Sequence, residues 1–137
     1  MSYKAIKIFW IGALLLLPLW ADAQQPQTEE EELKQMREMI DRTVDNYTSL
    51  LDLDDWQIFY VDSILTHDYE AMRQEVKGMR DAKMTNTEGY QRVQDKWAEQ
   101  VYNAFQKVFN EEQWAKYLKT GAARDKKSRD KRAAKRK

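Results

Sequence analysis

Leu53-Asp54-Asp55-Trp56-Gln57 and Phe109-Asn110-Glu111-Glu112-Gln113-Trp114 are two versions of one instruction. Each sets an apolar residue before a short oxygen-bearing side chain, with glutamine three positions later. This is a capping box: the cap oxygen accepts from the N–H of the third helical residue, and the glutamine there reaches back to the cap's own N–H. One box starts one helix. Two boxes, each next to a tryptophan, predict that Gln57 and Gln113 open two helices of an ordered series.

Upstream of the first box, Leu33, Met36, Ile40, Val44, Tyr47 and Leu51 recur at steps of three and four, one apolar stripe on one helix. Thr28 and the run Glu29 to Glu32 precede it, acids that suit the positive end of a helix dipole. Downstream, Ile58, Val61, Leu65, Tyr69, Met72, Val76 and Met79 keep the rhythm. They predict a helix from about Asp55 to Lys83, roughly 43 Å long at 1.5 Å per residue, with Gly78 weakening or bending its last turns. Thr85-Asn86-Thr87 offers caps for a third helix, whose stripe is Tyr90, Val93, Trp97, Val101, Ala104 and Val108. The second box opens a short fourth helix carrying Trp114, Tyr117 and Leu118, with Gly121 as its terminator.

No stretch alternates apolar and polar residues long enough for a strand, and the chain has two prolines and four glycines. The expected fold is all-α: an elongated antiparallel helical hairpin or bundle of three long helices and one short one. Residues 24–121 are the expected helical domain. Residues 122–137 have no apolar stripe and are expected to be a disordered basic tail, or at most a fraying extension of the last helix.

The first 23 residues have the three parts of a secretory signal peptide: Lys4 and Lys7, an apolar run from Ile8 to Trp20, and Ala21-Asp22-Ala23. Cleavage after Ala23 is expected, because the run falls short of the roughly 18 to 20 residues that cross a bilayer and Pro18 interrupts it. The product is periplasmic or secreted. It has no cysteine, so stability in an oxidising compartment must come from helix packing. The formal charge of zero hides an asymmetry: 20 acidic and 11 basic residues from Gln24 to Leu118, 10 basic and 2 acidic from Lys119 to Lys137. An acidic body carries a basic tail.

A signal peptide, an all-α chain and two Leu-Thr-x-x-Gln-type boxes opening the second and last helices resemble the periplasmic Spy/CpxP family. The resemblance covers about Leu33 to Leu118 and rests on Leu53, Asp54, Gln57, Phe109, Asn110 and Gln113. Asp54 and Asn110 stand where the family usually has threonine, and Phe109 replaces leucine; Asp and Asn cap at least as well as Thr. The resemblance implies a curved antiparallel dimer of long helices in the Gram-negative envelope. It also implies ATP-independent chaperone activity or modulation of envelope-stress signalling.

Catalytic chemistry lacks its parts. There is no cysteine, His67 is the one histidine, and it falls about 140° around a helix from Asp62. No phosphate-binding glycine loop and no clustered metal ligands occur, so no enzyme, cofactor or metal is expected. Among the aromatics from Trp56 to Tyr117, Trp97 and Phe109 read as core. Phe59 and Tyr60 lie beside the stripe of the second helix, and Tyr102 and Phe105 beside that of the third. With Met72 and Met79 they are the candidate partner-binding residues, against a competing reading as core or dimer seam. Expected partners are protein clients or an envelope sensor, and a second copy of the chain. The tail has three readings: solubility, attraction to an anionic envelope surface, or folding back on the acidic body. Nucleic acid is disfavoured by the export signal and the absence of aromatics in the tail.

Overall fold

The computed structural model describes residues 27–137; the expected signal peptide lies outside them. The chain divides after Lys34 into two units. In the described part of the first, Thr28 and Glu31 form a capping box of their own. Glu31 N–H donates to Thr28 Oγ1 and Thr28 N–H to Glu31 Oε2, both at 3.2 Å. Glu31 thus has a specific partner beyond the dipole role of the acidic run. The helix it starts, α1, is Glu29–Leu51.

In the second unit, α1 buries Ile40, Val44 and Leu51. It ends at Asp52, in the left-handed region at φ 51°, where Leu53 N–H reaches back to Thr48 C=O at 3.2 Å. This closure leaves Leu53 buried as the apolar residue after the turn. α2 (Asp55–Asp81) passes through Gly78, and the end of the helix uses the same device, Lys83 at φ 56° with Met84 N–H on Met79 C=O. Asn86 caps α3 (Thr87–Val108), taking the Glu88 N–H at 3.0 Å. Asn110 caps α4 (Glu111–Tyr117). No strand occurs among the described residues.

The core gathers Ile40, Val44, Leu51, Leu53, Val61, Leu65, Phe105, Phe109 and Tyr117, with Tyr47, Tyr69, Tyr102 and Trp114 packed against it. Its centre is aromatic. Tyr117 meets the Tyr47, Phe105 and Phe109 rings at centroid distances of 5.6, 5.5 and 5.6 Å, all steeply inclined, the arrangement that ring quadrupoles favour.

The tail corrects the expectation of disorder. After α4 the chain makes one wide π-type turn, Leu118–Ala122, and continues as α5 (Ala123–Lys135). Gly121, at φ 109°, does not end the helical path; it redirects it. The physical reason is charge: α5 buries no residue, but its cations find the carboxylates of α3. Apolar periodicity is blind to such a contact.

Candidate protein-binding surfaces

The six box residues come together as one knot. Asp54 N–H donates to Gln57 Oε1 at 2.9 Å; the return contact from the Gln57 N–H to the Asp54 carboxylate is present but looser. In the second box both halves are tight: Gln113 N–H to Asn110 Oδ1 at 2.8 Å, Asn110 N–H to Gln113 Oε1 at 3.0 Å. The two glutamines also bond each other. Gln57 Nε2 donates to Gln113 Oε1 at 2.6 Å and Gln113 Nε2 to Gln57 Oε1 at 3.0 Å. The remaining amide protons reach Val108 C=O at 3.0 Å and Asp52 C=O at 3.5 Å. Each side-chain oxygen accepts twice and each nitrogen donates twice, so the full capacity of both amides is used. Flipping either amide would set N–H against N–H at its cap. With Gln57 and Gln113 buried, and Leu53 and Phe109 flanking them, this ring of bonds ties the α1–α2 and α3–α4 junctions together.

The candidate partner-binding residues separate into three groups. Phe59 and Tyr60 are exposed, 67% and 50%, and Trp56, which stripe analysis did not select, joins them at 53%. The rings form one patch: Tyr60 lies 6.1 Å from Trp56 and 5.7 Å from Phe59 between centroids. Such rings on the first turns of α2 have no core to fill. Acids border them. Phe59 lines a shallow depression with Arg37, Asp41, Asp45 and Asp62, in which Arg37 bridges Asp41 and Asp62 at 2.6 Å each.

Phe105 corrects its half of the expected partner-facing pair. Phe105 is 1% exposed, among the most completely buried side chains of the core. Tyr102 is half-buried, 4.9 Å from the Trp114 ring, with Lys126 Nζ and Arg129 Cζ over its own ring at 5.7 and 5.5 Å. The stripe expected for α3 lies one residue away, on Val101 and Ala104, because a single stripe accounts for one packed face and α3 has two. Tyr47 of α1 and Tyr117 of α4 cover the adjacent face.

Met72 and Met79 are half-buried. Met79 packs beside Gly89, where an added Cβ would meet its Cε at 3.4 Å. Met72 lines a cavity of about 390 Å³ with Tyr47, Tyr69, Trp97, Tyr102 and Phe105, roofed by Ala122, Asp125 and Arg129. Burial raises the phenol pKa values of Tyr47, Tyr69 and Tyr117, keeping these hydroxyls neutral. His67 is a surface side chain, 77% exposed, bonded to the buried Asp68 at 2.8 Å. Among the described residues no group of three metal-binding side chains converges, and no helix is long and apolar enough to cross a membrane.

The contact that sequence reasoning left open is between α5 and α3. Arg132 grips Asp95 through Nε and Nη2, both at 2.8 Å, and Arg136 adds a contact at 3.4 Å. Lys126 and Arg129 both bind Glu99, Arg129 at 3.1 Å. The Arg132 hydrogen bonds hold the Asp95 carboxyl below its ordinary pKa, with Gln91 and Arg136 assisting. Across the helix pair, Glu75 of α2 is held low by Lys96 and by the Trp97 indole N–H of α3. The spacing of Lys126, Arg129, Arg132 and Arg136 was the available signal: steps of three and four in cations instead of apolar residues.

Set against protein-family models, curated proteins and solved structures, the chain matches none of them.

Proposed function

We propose that the chain is an exported envelope protein that binds partly unfolded or signalling proteins without enzymatic turnover, in the manner of the Spy/CpxP family it resembles. The reading takes as its scaffold an elongated antiparallel bundle with three long helices. The observation that carries it is the patch of Trp56, Phe59 and Tyr60, each at least half exposed, with Tyr60 against both other rings and acids beside Phe59. Soluble domains rarely leave such rings together in water unless a partner covers them, and aromatic residues dominate the energetics of protein contacts. The acidic border favours partners carrying basic residues near their apolar ones, and disfavours an anionic membrane.

The test is aggregation of two unrelated, chemically unfolded proteins in the presence of residues 24–137. Near-stoichiometric suppression is expected. A Phe59→Ser/Tyr60→Ser variant should lose most of it while melting like the parent. Suppression of neither client would reject a general chaperone and leave a module dedicated to one envelope partner. Sedimentation of parent and variant at several concentrations tells whether the same rings hold a second copy of the chain.

A further inference from the structure

The geometry points to a second binding surface: we propose that the acidic and aromatic face of α3, at Glu88, Asp95, Glu99 and Tyr102, is a seat for basic helical segments of partner proteins, and that α5 is its built-in competitor. The proposal rests on the protein-binding reading above but concerns a surface separate from Trp56, Phe59 and Tyr60.

α5 shows what the seat recognises. Its contacts come from Lys126, Arg129, Arg132 and Arg136, at steps of three, three and four, which is one stripe of a helix. Their acceptors descend α3 from Glu99 through Asp95 to Glu88, so the two helices run in opposite directions with charges in register. The face of the Tyr102 ring takes the Lys126 ammonium and the Arg129 guanidinium. The bidentate Arg132–Asp95 pair fixes the register, because a guanidinium fork matches a carboxylate in one orientation.

α5 is nevertheless an imperfect occupant. α5 contributes no buried residue to the core, and only Lys126 and Arg129, over the Tyr102 ring, cover apolar surface. Partly exposed ion pairs contribute little each, and the helix stays seated because its tether through Gly121 keeps it close. Beside it lies a cavity of about 390 Å³ whose lining includes Tyr47, Tyr69, Trp97 and Phe105, to which α5 offers only Asp125 and Arg129. Arg129 Nη2 is buried there without an acceptor. A segment with the same cationic stripe and one large apolar side chain in place of Asp125 would keep every ion pair to α3 and bury that side chain in the cavity. It would outcompete α5 through burial that α5 lacks.

The experiment uses the full chain and a fluorescent synthetic peptide of residues 122–137, at low salt. In the parent chain α5 holds the seat, so the peptide should bind poorly. In the full chain carrying Arg129→Glu and Arg132→Glu, α5 is expelled by the carboxylates it faced, and the peptide should bind at least ten-fold more tightly. A peptide with Asp125→Leu should bind more tightly still, by several-fold. Adding Asp95→Asn to the released chain should remove most of the gain. Circular dichroism checks that the released chain keeps its body; a milder Arg132→Gln/Arg136→Gln variant serves if the reversal does not. Equal binding to parent and released chains, equal binding of a scrambled peptide, or no binding to a folded released chain would each overturn the proposal.

Discussion

Replacing Gln57 by alanine removes four hydrogen bonds at once: those from Asp54 N–H and Gln113 Nε2 into its oxygen, and those from its nitrogen to Gln113 Oε1 and Val108 C=O. As an isolated cap, the residue would contribute on the order of 1 kcal/mol. The structure requires more. Gln113 Nε2 keeps only the long 3.5 Å contact to Asp52, and Val108 C=O loses its donor in a buried setting. An orphaned buried polar group costs about 1–3 kcal/mol, so the sum after partial relaxation is about 3 kcal/mol. Gln113→Ala should cost about the same. In the double variant the second alanine removes groups the first had orphaned. The loss should therefore be about 4 kcal/mol instead of the additive 6, a coupling of about 2 kcal/mol. Gln57→Glu, nearly isosteric, points a second oxygen at two acceptors and should be at least as damaging at neutral pH. Urea denaturation of the parent, both single variants and the double gives the cycle, with melting-temperature falls on the order of 10 °C for each single. Singles near 1 kcal/mol that add to 2 would refute the knot and return the boxes to independent helix caps.

Two further outcomes follow from burial and charge. Phe105→Ala should destabilise by about 3–5 kcal/mol as a core truncation, while Phe59→Ala should stay within about 0.5 kcal/mol, and thermal melts that ranked them the other way would invert the assignment of core and patch. Asp95 has a folded pKa held below its unfolded value by Arg132, so its contribution is present above the ordinary aspartate range, near about 3.9, and is lost as pH falls through the depressed folded value. An acid titration of helix content should show α5 released below that range, and Arg132→Gln should move the release to higher pH; coincident titrations would remove Asp95 from the contact.

The helical class, the order of the helices and the two boxes were legible in the sequence, because periodicity and capping are local. A stripe at steps of three and four needs only its own backbone to be read, and a cap reaches three residues. The same stripes placed Ile40, Val44, Val61 and Leu65 in the core. What the sequence could not say is which local features meet. Gln57 and Gln113 are 56 positions apart, and each looks complete as a cap; that their amides close a ring is a property of two junctions brought together by packing. Phe105 is core and not partner surface because α1 and α4 cover a second face of α3, which no single-helix stripe reports. The residues from Ala122 onward have no apolar pattern, and by themselves they do not dictate a fold. The carboxylates of Asp95 and Glu99, aligned on α3 within reach of the turn at Gly121, decide that they form a seated helix. Local periodicity fixed the elements; long-range complementarity of charge and amide chemistry decided how the junctions and the tail are held.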